Sequence, residues 1–215
     1  TGMAKHDVLF NNNKIMNKIK KELNIEKFSK IILYAPTWWG GANGHLENDK
    51  PFNLDTYEFL TKVNNICKDS NYLMIFRLHQ NSSLSVKNKV FSNILSLPQY
   101  IYQDTYSLLS CIDLLITDWS SIASDFSALN RPIIYIDNPP PIKFNNSGLP
   151  LPIERGGVIV KNMESFLNEI LNVLRNKVYE IPKSQIKLKN EVFGNNYDGN
   201  CTIRCCNEIN KLIHR

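Results

Sequence analysis

Apolar residues along this chain fall into two alternating patterns. Short continuous runs recur: "KIILYA" (Lys30 to Ala35), "YLMIFRL" (Tyr72 to Leu78), "DLLIT" (Asp113 to Thr117), "PIIYI" (Pro132 to Ile136) and "GGVIV" (Gly156 to Val160). Each has the length of a strand buried on both faces, and Pro36 stops the first. Between them apolar residues return every three or four positions, which predicts helices. These cover Asn12 to Leu23, Leu54 to Cys67, Thr105 to Cys111, Ser120 to Leu129, Met163 to Leu174 and Asn200 to Ile213. "NILSLP" lies before the third of these helices, after a polar loop and a short helix. The Gly-rich "TWWGGANGHLENDKPFN" and the segment around Pro139, Pro140 and Pro141 read as loops.

Strands alternating with helices of this length imply right-handed βαβ crossovers and a parallel sheet covered on both faces. The expected fold is therefore α/β, a Rossmann-like domain of about six parallel strands. In such sheets ligands bind outside the carboxyl ends of the strands, near the point where strand order reverses. Three polar clusters fall at strand ends: Thr37 with Trp38 and Trp39, Arg77 with His79, and Thr117, Asp118, Ser120 and Ser121. If their strands are neighbours, the clusters converge on one cleft. There is no G-x-G-x-x-G and no G-x-x-x-x-G-K-S/T, which argues against a dinucleotide fingerprint and a P-loop.

Composition narrows the classes further. With 215 residues, 43% hydrophobic and 21% charged, the chain can bury a substantial core in one domain. No apolar run approaches the roughly 18 to 20 residues that span a bilayer. The net charge of +5 is spread over many lysines, which suits an anionic ligand better than nucleic acid. Five cysteines, with no C-x-x-C pair or zinc spacing, read as reduced and partly buried in a cytoplasmic protein. No acidic cluster suggests a metal, and no cofactor is expected.

Several blocks, in order, resemble the CDP-glycerol glycerophosphotransferase family of teichoic-acid and capsule enzymes. "TGMAKHDVL" resembles a turn of the type G-x-P-R-x-D, with Gly2 and Asp7 matching and Lys5 keeping a basic residue nearby. "ILYAPTWW" resembles A-P-T-W/Y-R, with Trp39 where an Arg is usual. "FRLHQN" resembles R/K-x-H-P-N, with Gln80 in place of the proline. "DLLITDWSS" is the closest match, to D-x-L-I-T-D-Y-S-S, and "ERGGVIV" and "YDGNCTIR" resemble closing blocks through Gly157, Asp198, Gly199 and Arg204.

The resemblance implies the GT-B plan of two Rossmann-like halves, with residues 1–215 forming the C-terminal, donor-nucleotide-binding half. It implies transfer of glycerol phosphate or a related polyol phosphate from a CDP-linked donor to a lipid-linked or polymer acceptor, releasing CMP. It also implies an N-terminal half carrying a second histidine, without which the fragment is inactive. Its setting would be peripheral, at the inner face of a bacterial membrane. A GT-B glycosyltransferase using a UDP- or CMP-activated sugar, and a non-catalytic nucleotide-binding module, are the rival readings.

Under the family reading His79 is the catalytic candidate, stabilising charge on the transferring phosphoryl group. The donor-binding candidates are Thr37, Arg77, Thr117, Asp118, Ser120, Ser121 and Asp125. The Ser120 and Ser121 hydroxyls hold phosphate oxygens, or the cluster is an ordinary helix cap made by Asp118 or Ser120. Asp118 caps that helix, orients Thr37 or His79, or binds a donor hydroxyl. Asp125, one helical turn after Ser121, is either a buried acid bonded locally or part of the site. His6, His45 and His214 carry no supporting pattern.

Overall fold

The computed structural model describes residues 1–10, 13–37, 51–77, 91–138, 155–176 and 179–213. Six strands form one parallel sheet: β1 (Lys30–Tyr34), β2 (Tyr72–Phe76), β3 (Ile94–Ser96), β4 (Leu114–Thr117), β5 (Ile133–Ile136) and β6 (Val158–Val160). Their spatial order is β3-β2-β1-β4-β5-β6, so the direction of winding reverses between β1 and β4. Tyr34 pairs in register with Phe76 on one side and Ile116 on the other. The three strands therefore end at a common edge, which meets the condition for their terminal clusters to converge.

Continuous apolar runs form these strands because both faces of the sheet are covered. Alternate side chains of β1 enter different cores: Ile31 and Leu33 on one face, Ile32 and Tyr34 on the other. The first face is covered by α1 (Asn13–Glu22), α3 (Thr105–Ser110), α4 (Ile122–Ser127) and α6 (Lys183–Phe193), through Ile19, Leu108, Phe126 and Phe193. The second is covered by α2 (Thr56–Ser70) and α5 (Met163–Arg175), through Phe59, Val63, Phe166 and Ile170. Local signals set the helix ends. The Asp55 carboxylate accepts the Glu58 amide, Asn71 closes α2 at φ 54°, and Asn162 forms a capping box with Ser165.

Two elements depart from the sequence expectation. The helix expected over Ser120 to Leu129 is shorter, running from Ile122 to Ser127. Helix α6 was not foreseen, because its buried face is polar. Gln185, Lys189 and Phe193 point inward, while Ile186 and Val192 face solvent. The Gln185 amide donates to the Arg131 carbonyl at 2.6 Å and Lys189 to Asn130 Oδ1 at 3.0 Å. The five cysteines are free, as expected, and burial pushes the Cys67 thiol up to about 12.

The first residues are bound to the last helix. A 3-10 turn over Ala4–Leu9 carries Asp7, whose carboxylate accepts the Cys201 and Thr202 amides at 2.8 and 2.7 Å. Asp7 thus caps α7 (Cys201–Ile213) across 194 residues of sequence. Gly2 sits beside it at φ 78°, where a Cβ would lie 2.5 Å from Cys201 Sγ. Arg204 grips Asp198 with two nitrogens, at 2.8 and 3.0 Å, and donates to the Thr1 carbonyl. The Gly2, Asp7, Asp198 and Arg204 positions of the sequence resemblance therefore converge on one clasp.

Burial pushes the Asp7 carboxyl up, but the bonds from Thr202 and Cys201 outweigh it and hold it below the ordinary 3.8. A lowered folded value means that Asp7 stabilises the fold fully above the unfolded value and loses this effect as pH falls through the lower one. Asp7→Ala is expected to cost about 0.5–2 kcal/mol at neutral pH, as for other helix caps. Urea unfolding of both proteins should show the difference shrinking below about pH 4; a difference that grows on acidification would contradict the capping role.

Candidate functional site

The described part of the site is the carboxyl edge of β1, β4 and β5. Chain geometry brings Thr37 there, because Pro36 ends β1 and the Ala35 amide still pairs with the Ile116 carbonyl at 2.9 Å. Asp118 follows β4 and is 1% exposed. Its Oδ1 accepts the Thr37 amide at 2.7 Å and the Trp119 amide at 2.6 Å, while Oδ2 receives Asn138 Nδ2 at 3.5 Å. A buried carboxylate is costly unless N–H groups compensate it, and here they come from the ends of different strands. Of the three alternatives left open by the sequence, the geometry displays one directly: Asp118 orients Thr37.

Around this anchor lie hydroxyls in different states. Thr117 is fully buried, and its hydroxyl donates to the Ala35 carbonyl at 2.7 Å, tying β4 to β1. Thr37 Oγ1 is buried and has no hydrogen-bond partner among the described residues. Ser121 precedes α4 and makes no capping bond with its side chain. An orphaned buried hydroxyl costs on the order of 1–3 kcal/mol.

Two other expected ligands are turned elsewhere. The Arg77 guanidinium is buried and donates to the Leu97 carbonyl at 3.3 Å and the Thr105 hydroxyl at 2.7 Å. It fastens the end of β3 to the start of α3. Burial pushes its pKa down, opposed by the nearby Tyr102 and Asp104. Asp125 points to the 3-10 turn, where its carboxylate meets His6 Nε2 at 2.5 Å and the Tyr106 hydroxyl at 3.1 Å. Its partners are side chains distant in sequence, which is neither a bond to neighbouring backbone nor a contact at the sheet edge. His79, Trp38 and Trp39 lie outside the described residues, as do His45 and His214. Arg77, two positions before His79, does leave β2 at the same edge, its amide bonded to the Tyr34 carbonyl at 2.9 Å.

Sequence reasoning missed a cation at this edge. Arg155 lies over the Trp119 ring, 4.3 Å from its centroid, and pairs with Asp137 at 2.7 Å. The Trp119 indole N–H donates to the Asn138 carbonyl at 2.8 Å. The sequence carries this arginine in "ERGGVIV", two positions before Gly157. Gly157 itself has a packing reason, since a Cβ there would lie 2.4 Å from the Ile133 carbonyl oxygen. A shallow open groove of about 720 Å³ lies elsewhere, lined by Thr1, Arg204, Asn207, Glu208, Asn210 and Lys211. None of the described site residues lines it.

A parallel sheet whose winding reverses between β1 and β4 defines a Rossmann-like α/β domain, the fold of one half of a GT-B protein. The chain belongs to the CDP-glycerol:poly(glycerophosphate) glycerophosphotransferase family, whose model matches residues 1–211. It is 28% identical over 224 residues to the teichoic acid poly(glycerol phosphate) polymerase of Bacillus subtilis strain 168, covering 100% of this chain and 28% of that protein. Over 192 residues it is 28% identical to the teichoic acid ribitol-phosphate polymerase TarK of Staphylococcus aureus, covering 85% and 35%. The teichoic acid glycerol-phosphate primase of B. subtilis is also 28% identical, with 99% and 51% covered. The structure of the wall teichoic acid polymerase TagF superposes with a TM-score of 0.67 at 22% identity, over 98% of this chain and 51% of that one. The chain thus spans between about a quarter and a half of the length of these relatives.

Removing the Asp118 carboxylate leaves two amides without their acceptor. Asp118→Ala is expected to lower the unfolding free energy by about 2–5 kcal/mol, as loss of a buried hydrogen-bonded charge does. Denaturant titration measures this, and a loss below about 0.5 kcal/mol, the scale of an ordinary surface change, would remove Asp118 as the anchor of the edge.

Proposed function

We propose that this chain binds the donor in a transferase that moves glycerol phosphate, or a related polyol phosphate, from a CDP-linked donor to a hydroxyl of a cell-wall or capsule polymer. The acceptor oxygen bonds to the phosphorus that carries the polyol. The bond from that phosphorus to the CMP oxygen breaks, and CMP departs while a new phosphodiester forms. The acceptor proton is lost in the same overall exchange. Such a reaction needs positioning and charge stabilisation more than covalent help from the protein.

The observation that carries the reading is the orphaned Thr37 hydroxyl beside Asp118, at the switch point of a chain belonging to this family. Helix α4 has six residues, so its dipole adds little. The hydroxyls therefore carry the phosphate contacts: Thr37, Ser120 and Ser121 donate to diphosphate oxygens, and bonds to charged groups contribute roughly 1.5–3 kcal/mol each. Asp118 stays clear of the diphosphate and holds Thr37 in place. His79 stabilises the charge on the transferring phosphoryl group. Arg155, stacked on Trp119, supplies positive charge at the same edge.

In the full enzyme this unit forms the C-terminal half of a GT-B pair, facing an N-terminal half that presents the acceptor. The 51% share of the TagF chain that it covers supports such an arrangement. No helix among the described residues is long and apolar enough to cross a membrane. Access to a lipid-linked acceptor in this reading comes from peripheral contact.

Calorimetric titration with CDP-glycerol tests the site. Ser121→Ala and His79→Ala are each expected to weaken binding by about ten- to a hundredfold, with melting temperatures near the parent's. A thermal-shift panel of CDP-glycerol, CDP-ribitol, UDP-sugars and CMP-sugars identifies the donor class, because the tightest ligand raises the melting temperature most. Stabilisation by a UDP-sugar and not by either CDP-polyol would overturn the reading.

A further inference from the structure

His6 is 1% exposed, and its ring lies between Phe193 and Tyr106, with centroids 4.8 and 5.8 Å away. Its Nε2 donates to Asp125 Oδ1 at 2.5 Å. Asp125 Oδ2 accepts the Tyr106 hydroxyl at 3.1 Å. Lys5 Nζ reaches both the Tyr106 hydroxyl, at 2.5 Å, and Asp125 Oδ1, at 3.4 Å. The side chains have the composition of a general-base centre, but burial decides against that role. An imidazole enclosed between two rings cannot touch a substrate, and its Nδ1 has no partner among the described residues.

The cluster joins four separate elements: the 3-10 turn, α3, α4 and α6. Only α4 leads directly from the Thr117–Ser121 segment. This helix is short and lacks a side-chain cap at its start. Its orientation rests on Ala123 and Phe126 in the core and on Asp125 in this cluster. Asp125 stands one turn after Ser121, so rotation about the helix axis at one residue is transmitted to the other.

We propose that His6 is a positioning residue for the donor diphosphate: through Asp125 it fixes the rotation of α4 and so the placement of the Ser120 and Ser121 hydroxyls. This rests on the donor-site reading above. Asp125 then serves the site without touching the donor, and Lys5 and Tyr106 hold the carboxylate from its other sides. The 3-10 turn, bound to α7 through Asp7, gives His6 a fixed base.

The test compares two ligands on the whole chain. CDP-glycerol carries the diphosphate, and cytidine, followed by competition, carries none. His6→Phe keeps an aromatic ring between Phe193 and Tyr106 but loses the donor to Asp125. It is expected to weaken CDP-glycerol about tenfold and to leave cytidine within about twofold. His6→Gln, which can offer an N–H to Asp125, is expected to recover most of the lost affinity. Should His6→Phe fail to fold, Tyr106→Phe removes one bond to Asp125 and is expected to weaken CDP-glycerol alone by about threefold. Equal losses for both ligands, or no loss for either, would overturn the positioning role while leaving the donor site intact. A parent protein that binds neither ligand would instead defeat the donor reading, and this inference with it.

Discussion

A buried carboxylate at the seam of the sheet sets the terms for everything at its carboxyl edge. Asp118 faces the junction where strand winding reverses, and it is stabilised by amides from Thr37 and Trp119 and by Asn138. Such a charge cannot be left unpaired in the interior, so the chain ends that supply those donors must stay together. The consequence is positional. The loop after β1 is fastened to the loop after β4, and their hydroxyls occupy one edge whatever the rest of the chain does.

The same logic operates at the other end of the chain. Asp7 binds the first turn of α7, and Arg204 binds Asp198 and Thr1, so residues at the two ends of the sequence form one clasp. Between clasp and seam runs a second polar link, from Lys5 and His6 through Asp125 to α4. The apolar cores fix the layers of this fold. Three polar ties then fix which loops meet and how they are oriented. Several family motif positions fall on these ties, namely Gly2, Asp7, Asp118, Asp198 and Arg204.

Much of this was legible before any coordinates. Unbroken runs such as "KIILY" and "YLMIF" report strands buried on two faces, and the parallel sheet follows from their alternation with helices. The Thr37 and Asp118 clusters were legible as strand-end residues, and their meeting follows from β1 and β4 being neighbours. What escaped the sequence was polar burial. Helix α6 hides Gln185 and Lys189 and shows solvent its aliphatic residues, which inverts the periodic signal. His6 escaped for a similar reason, because its partner Asp125 is 119 residues away and no local spacing announces it. Arg77 illustrates the reverse error. Its placement beside His79 suggested a ligand, yet a guanidinium reaches far enough to bond Leu97 and Thr105 instead.

The central claim is that the ligand edge is the seam between β1 and β4. Amide chemical-shift mapping of the chain during titration with CDP-glycerol tests it most directly. The account predicts that the largest changes fall on Thr37, on Trp119 through Ile122 and on Asn138, with Thr37 and Trp119 moving together because both amides bond to Asp118. Changes centred instead on the groove of Arg204, Asn207 and Lys211, with the seam silent, would contradict it.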